Sequence, residues 1–296
     1  MGGKEMPMNS EQLAWRIRRH VIEMTNQSHA AHTGSALSVA DILAVLYSGV
    51  LRYDAKNPGW AQRDLLVLSK GHASAALYAA LAESGFFPVE ELLTHCQDGS
   101  RLSGHVSHAI PGVECSTGSL GHGFGMASGM AYALRKSGRG ARVFTILGDG
   151  ECNEGSVWET AMLAARLGLR NLTAVVDYNQ LQGLDRCDSI MCISPLVEKW
   201  SAFGWSSVEV NGHDHAQMRQ ALMAQDETRP TAVIADTIKG YPISFMESQV
   251  LWHYRFPHDG WEYDEAVFQL GQMRPPGITD PYEGREGRNV YEEQLY

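Results

Sequence analysis

Hydrophobic and polar positions along this chain fall into two periods. Leu13, Ile17 and Val21 recur at helical spacing within 11–26, with charges on the opposite face and Ser10 just ahead. Short apolar runs of strand type stand at 64–69, 143–147, 172–177, 205–210 and 231–236. Between them come stretches of helical spacing at 124–134, 156–167 and 214–225, with a further one at 196–203 started by Pro195. Ser38 with Asp41 three residues on predicts a helix N-cap, and Ser74 predicts the cap of a helix that Gly85 ends. Strands alternating with helices predict an α/β fold, doubly wound, with a mainly parallel sheet and helices on both faces. One domain is expected over 10–268, after a flexible N-terminus at 1–9. The polar, Pro/Gly-broken stretch 269–296 is expected to be an extended or disordered arm.

Composition narrows the class. The chain has 296 residues, 44% of them hydrophobic, and 24 Lys plus Arg against 34 Asp plus Glu give a net charge of −10. No basic run stands out, which disfavours nucleic acid as a partner. The opening MGGKEMPMNSEQLAW lacks an apolar signal core, and no apolar segment approaches the length expected of a membrane span. Five cysteines, odd in number and without zinc-type pairing, argue for reduced thiols and a cytoplasmic protein.

The chemistry concentrates at 143–182, VFTILGDGECNEGSVWETAMLAARLGLRNLTAVVDYNQLQ. It reads as strand, acidic glycine loop, helix, strand and an Asn-bearing loop. A right-handed crossover makes the two strands parallel and brings both carboxyl ends to one edge, where open α/β sheets bind ligands. Asp149 leaves the first strand there and Asn179 the second. One carboxylate, one amide oxygen and nearby main-chain carbonyls suit Mg²⁺ better than zinc, because Mg²⁺ takes few protein oxygens and keeps water and phosphate ligands. Gly148 and Gly150 allow close approach of a phosphate. The same spacing would also serve a helix-capping Asp and a turn Asn.

GDG, about thirty residues and then N resembles the thiamine diphosphate motif, and the full segment resembles its transketolase form. That resemblance runs from about residue 10 to about residue 257. It implies a thiamine diphosphate cofactor with Mg²⁺, or Ca²⁺ or Mn²⁺ in its place, bound by Asp149, Asn179 and the carbonyl of Leu181. AHTGSALS, SKGHA, STGSLG and the GYPISFMESQVLWHY segment are each similar to transketolase stretches. By this resemblance His32, His72, His105 and His253 are substrate-facing catalytic residues, with His72 also on the diphosphate. Gly118, Ser119, Leu120, Gly148, Gly150 and Glu151 join the cofactor site, although Glu151 by itself reads as a solvated loop carboxylate. His122 stands where the family usually has Gln, and Tyr241 and Tyr254 replace small residues. Those two aromatics are expected to narrow or reshape a substrate channel.

The implied activity is transfer of a two-carbon ketol unit from a ketose to an aldose, both phosphorylated. In full-length transketolases the Glu that polarises the cofactor's pyrimidine belongs to a second α/β domain, for which this sequence has no residues left. The expectation is therefore the diphosphate-binding subunit of a split enzyme, inert alone and paired with a second transketolase subunit in an α2β2 heterotetramer. Alternatives are the α-subunit of a 2-oxo acid dehydrogenase and a silent cofactor-binding regulatory subunit.

Overall fold

A computed structural model describes residues 8–284. Helices α1 (Ser10–Ser28), α2 (Thr33–Ser38) and α3 (Ala40–Val45) come first, the last running into a π-turn that breaks at Gly49. Strand β1 (Leu65–Leu68) leads to α4 (Ser74–Glu83). Then follow α5 (Gly123–Lys136), β2 (Val143–Gly148), α6 (Gly155–Arg166) and β3 (Leu172–Tyr178). Helices α7 (Cys187–Ile190) and α8 (Leu196–Ala202) precede β4 (Ser206–Asn211). Last come α9 (His215–Met223), β5 (Thr231–Asp236) and α10 (Trp261–Gln272).

All five strands are parallel, in the order β1-β2-β3-β5-β4. Side chains alternate between two cores. Leu66, Leu68, Phe144, Ile146, Val175 and Val233 join α1, α3 and α4 on one face. Val67, Val143, Leu147, Ala174, Val176 and Ile234 join α5, α6 and α8 on the other. Strands buried on both faces need continuous apolar runs, as the sequence has. The doubly wound α/β reading holds.

Several local starts differ from expectation. Asn9 caps α1: its side chain accepts from Gln12 N, and the Gln12 side chain accepts from Asn9 N. Ser38 caps nothing, because its hydroxyl donates to Asp177 Oδ2 at 2.6 Å and Asp41 is held in a buried ion pair with Arg18. Ser74 likewise turns away from its helix, to the carbonyls of Ser103 and Gly104. The 18 residues Thr33–Val50 are long and apolar enough to cross a membrane, contrary to expectation. They are 89% buried in the protein and broken at Gly49, which makes them core.

The tail packs against the body as far as it is described. Arg16 donates to the Thr279 carbonyl, Arg19 pairs with Asp280 at 3.0 Å, and the Tyr282 hydroxyl meets His20 Nδ1 at 2.7 Å. These contacts lay 276–282 along α1, with Tyr282 buried. Polar residues can join the body when each finds a charged or hydrogen-bonded partner. Residues 285–296 of the expected arm, and 1–7 of the expected flexible N-terminus, lie outside the described residues.

Candidate cofactor site

The carboxyl ends of β1, β2, β3 and β5 converge on one cavity of about 250 Å³. Lys70 and His72 follow β1, Asp149 to Glu151 follow β2, Asn179 to Gly183 follow β3, and Lys239 follows β5. Ser35 comes in from α2, and His32, His105, Gly118, Leu120 and His253 from the connecting segments. Twelve of the thirteen residues singled out in the sequence therefore meet here. Ser119 does not: it is exposed, between Gly118 and Leu120.

Asp149 is the centre of the site. It is 3% exposed, and its oxygens take the main-chain N–H groups of Gly150 at 2.7 Å and Gln180 at 2.5 Å. No cationic side chain among the described residues bonds to it. Burial and then the neighbouring Asp177 raise its pKa to about 6. Asn179 Oδ1 takes the Leu181 N–H, at 3.2 Å. Gln180 between them has φ of 64°, a left-handed turn that a β-branched residue would resist. The Leu181 carbonyl faces the same cavity and accepts from Lys239 Nζ at 3.0 Å. A buried carboxylate with no cationic side chain hydrogen-bonded to it, beside an amide oxygen and a carbonyl, fits a hard divalent cation. No cluster of three His, Cys, Asp or Glu of metal-binding type exists among the described residues.

Asp177, fully buried on β3, holds this arrangement in place. It accepts from Lys70 Nζ (2.5 Å), Thr237 Oγ1 (2.5 Å), Ser38 Oγ (2.6 Å) and Asn179 Nδ2 (3.2 Å). The last bond fixes the Asn179 amide nitrogen on Asp177 and leaves its oxygen to accept from Leu181 N. Burial opposes the Asp177 charge, but Lys70 and these donors outweigh burial and keep it below the usual carboxylate range. Two buried lysines thus flank the cavity. Burial and Lys70 lower the Lys239 ammonium to about 8.

Glu151 is 1% exposed, which corrects its reading as solvated. It accepts from Ser69 Oγ at 2.5 Å, Gly121 N at 2.9 Å and Gly148 N at 3.1 Å, joining three loops under the site. Burial raises its pKa. Gly150 has no room for a side chain, since a Cβ would lie 2.9 Å from Gln182 Cγ.

The four histidines form one cluster. His32 lies 5.2 Å from His72, 5.6 Å from His105 and 5.0 Å from His253 between ring centroids. Burial, with nearby His105, Lys239 and Lys70, lowers His32 to about 4, and burial with Lys239 lowers His253 to about 3. Burial and Lys70 hold His72 well below its ordinary value. These three rings are neutral near pH 7, able to donate at one nitrogen and accept at the other. His32 itself has φ of 75°, backbone strain of the kind stored at functional sites.

One sequence expectation moves. Tyr241 is absent from the cavity and stacks on His213 instead, centroids 3.9 Å apart. Tyr254 stands at the rim beside His253, 60% exposed. His122 is exposed at the start of α5, with Nδ1 3.2 Å from the Leu120 carbonyl. The sequence reading missed Lys70, Lys239 and Gln182 as lining residues; both lysines lie inside the SKGHA and TIKG stretches, at strand ends.

Fold and site together define an α/β domain with a polar cavity at the carboxyl edge of its parallel sheet. Residues 9–253 match the family "Transketolase, thiamine diphosphate binding domain", and the chain belongs to it. It is 42% identical over 263 residues to one of the subunits named for an apulose-4-phosphate transketolase of Actinobacillus succinogenes, covering 88% of this chain and 95% of that one. It is 40% identical to a 6-deoxy-6-sulfo-D-fructose transketolase subunit of a Clostridium species, covering 80% and 87%. The transketolase structure from Campylobacter jejuni superposes with a TM-score of 0.84 at 30% identity, over 92% of this chain and 44% of that one. This chain therefore spans less than half of that transketolase.

Proposed function

We propose that this chain is the diphosphate-binding subunit of a two-part transketolase. With a second subunit carrying the pyrimidine pocket and its activating Glu, it transfers a two-carbon ketol unit from a ketose phosphate to an aldose phosphate. The observation that carries this reading is the buried carboxylate of Asp149, to which no cationic side chain among the described residues is hydrogen-bonded, set beside Asn179 Oδ1 and the Leu181 carbonyl at a four-strand edge. Asp149, Asn179 and Leu181 would hold Mg²⁺, or Ca²⁺ or Mn²⁺, and the cation would hold the diphosphate. Lys70 and Lys239 add positive charge to the same cavity.

Thiamine diphosphate, when bound, would supply the nucleophilic carbon of the reaction. The chain supplies binding and proton handling. Neutral His32, His72 and His253, with His105 beside them, can orient donor hydroxyls and pass protons between them, each worth roughly 10²–10⁴-fold in rate. The subunit names of the relatives support a partner chain, and an α2β2 heterotetramer is the assembly proposed. A cytoplasmic setting agrees with the five free cysteines.

Ketol transfer measured for this chain, for its partner and for the mixture tests the proposal. Transfer from a ketose phosphate only in the mixture, dependent on thiamine diphosphate, is the expected result. Transfer by this chain alone would contradict the two-part reading, and a mixture that binds cofactor without transfer would favour the regulatory one.

A further inference from the structure

Behind the cofactor cavity, on the far side of the Lys239 loop, lies a second polar cluster. It is built from α1, α3, the β4–α9 connection and the segment after β5. Arg18 of α1 forms a two-pronged, buried ion pair with Asp41 of α3. Asp41 Oδ2 also accepts from His213 Nδ1 at 2.6 Å, and Oδ1 from His215 Nε2 at 2.9 Å. On the other side of the His213 ring, the Ile238 N–H donates to Nε2 at 2.9 Å. An amide can donate only to an unprotonated ring nitrogen, so His213 is neutral here with its proton on Nδ1. Asp41 fixes that tautomer.

Ile238 immediately precedes Lys239, whose ammonium reaches Leu181 O, Gln182 O and His253 Nδ1. The loop has other polar anchors beside it: Thr237 Oγ1 on Asp177, Thr237 N on Tyr178 O, Ser248 N on Lys239 O and Gly240 N on Gly34 O. Tyr241 closes the arrangement. Its ring stacks on His213 at 3.9 Å and 28°, its carbonyl accepts from Arg18, and the Arg18 guanidinium lies 5.0 Å from the ring centre. The aromatic expected in the substrate channel is thus part of the clamp behind it.

We infer that His213 is a positioning residue that acts through Lys239: fixed by Asp41 and Tyr241, its Nε2 holds the Ile238 amide and thereby sets where the Lys239 ammonium stands in the cofactor cavity. The role of Lys239 rests on the cofactor-site reading above; the clamp on the loop does not. Removing the acceptor leaves a main-chain donor without its partner and frees the loop between its remaining anchors.

Two side chains separate the contacts. His213→Asn can keep a donor for Asp41 but is too short to reach Ile238, whereas His213→Gln can offer an oxygen near the Nε2 position. Amide hydrogen exchange across 237–241, read on the full chain without cofactor, should rise roughly tenfold in the Asn variant and stay near wild type in the Gln variant. Unchanged exchange at Ile238 in folded His213→Asn would overturn the clamp. With the partner subunit and Mg²⁺ present, thiamine diphosphate affinity should fall roughly tenfold in His213→Asn and recover in His213→Gln. In a Lys239→Met background His213→Asn should cause no further loss. A full additional loss there would overturn action through Lys239. If His213→Asn does not fold, His213→Gln and Tyr241→Leu, which removes the ring that backs His213, are read the same way. Wild-type exchange in Tyr241→Leu would then overturn the clamp. A wild-type protein that fails to bind thiamine diphosphate would defeat the functional reading and leave the exchange result standing.

Discussion

His105 shows what a single residue contributes at this site. Its ring lies over Gly118, where a Cβ would come within 3.4 Å of His105 Cδ2, and it faces the cavity without touching Asp149, Asn179 or Leu181. His105→Ala should therefore lower the turnover number of the assembled enzyme by about tenfold or more while thiamine diphosphate affinity changes little. Steady-state rates at the wild-type level would remove His105 from the chemistry. Asp149 and Asn179 were legible in the sequence because a strand-end Asp and a strand-end Asn about thirty residues apart must meet at one sheet edge. The four histidines were legible only through resemblance, since nothing in their spacing brings them together. Lys70, Asp177 and Lys239 were not legible. Three of the four partners of Asp177 lie 139, 107 and 60 positions away along the chain, and a buried lysine looks like a surface one until its carboxylate is known. Glu151 misled for the same reason: two of its three donors, Ser69 and Gly121, are distant in the sequence.

Among the elements, the contact of α5 with the end of β1 sets the floor of the site. Gly123 opens α5 so close to β1 that a Cβ would lie 2.7 Å from Ser69 Cα. That approach lets the Ser69 hydroxyl accept from Phe124 N at 3.1 Å while donating to Glu151. Gly123→Ala must push α5 away, at a cost of about 1–3 kcal/mol. Its thermal midpoint should drop by several degrees, read by calorimetry; an unchanged midpoint would show that the helix can back off freely. Strand positions were the readable elements here, because a parallel sheet buried on both faces demands apolar runs. Helix starts were less readable. Asn9, Ser10, Ser38 and Ser74 are all cap-type residues, and only tertiary partners such as Asp177 and the Ser103 carbonyl decide which of them caps.

For the whole molecule, two cores sandwich a five-stranded sheet, and every strand end that carries a site residue opens to the same edge. The central claim is that this edge binds thiamine diphosphate through a divalent cation. The direct measurement is a titration of thiamine diphosphate with and without Mg²⁺ into the complex with the partner subunit, for wild type and for Asp149→Ala. Removing the one charged oxygen ligand leaves the diphosphate charge less compensated. Mg²⁺-dependent binding is expected in wild type, with affinity at least about tenfold weaker in Asp149→Ala, about 1.4 kcal/mol or more. Equal affinity in the two proteins, or wild-type binding indifferent to Mg²⁺, would contradict it.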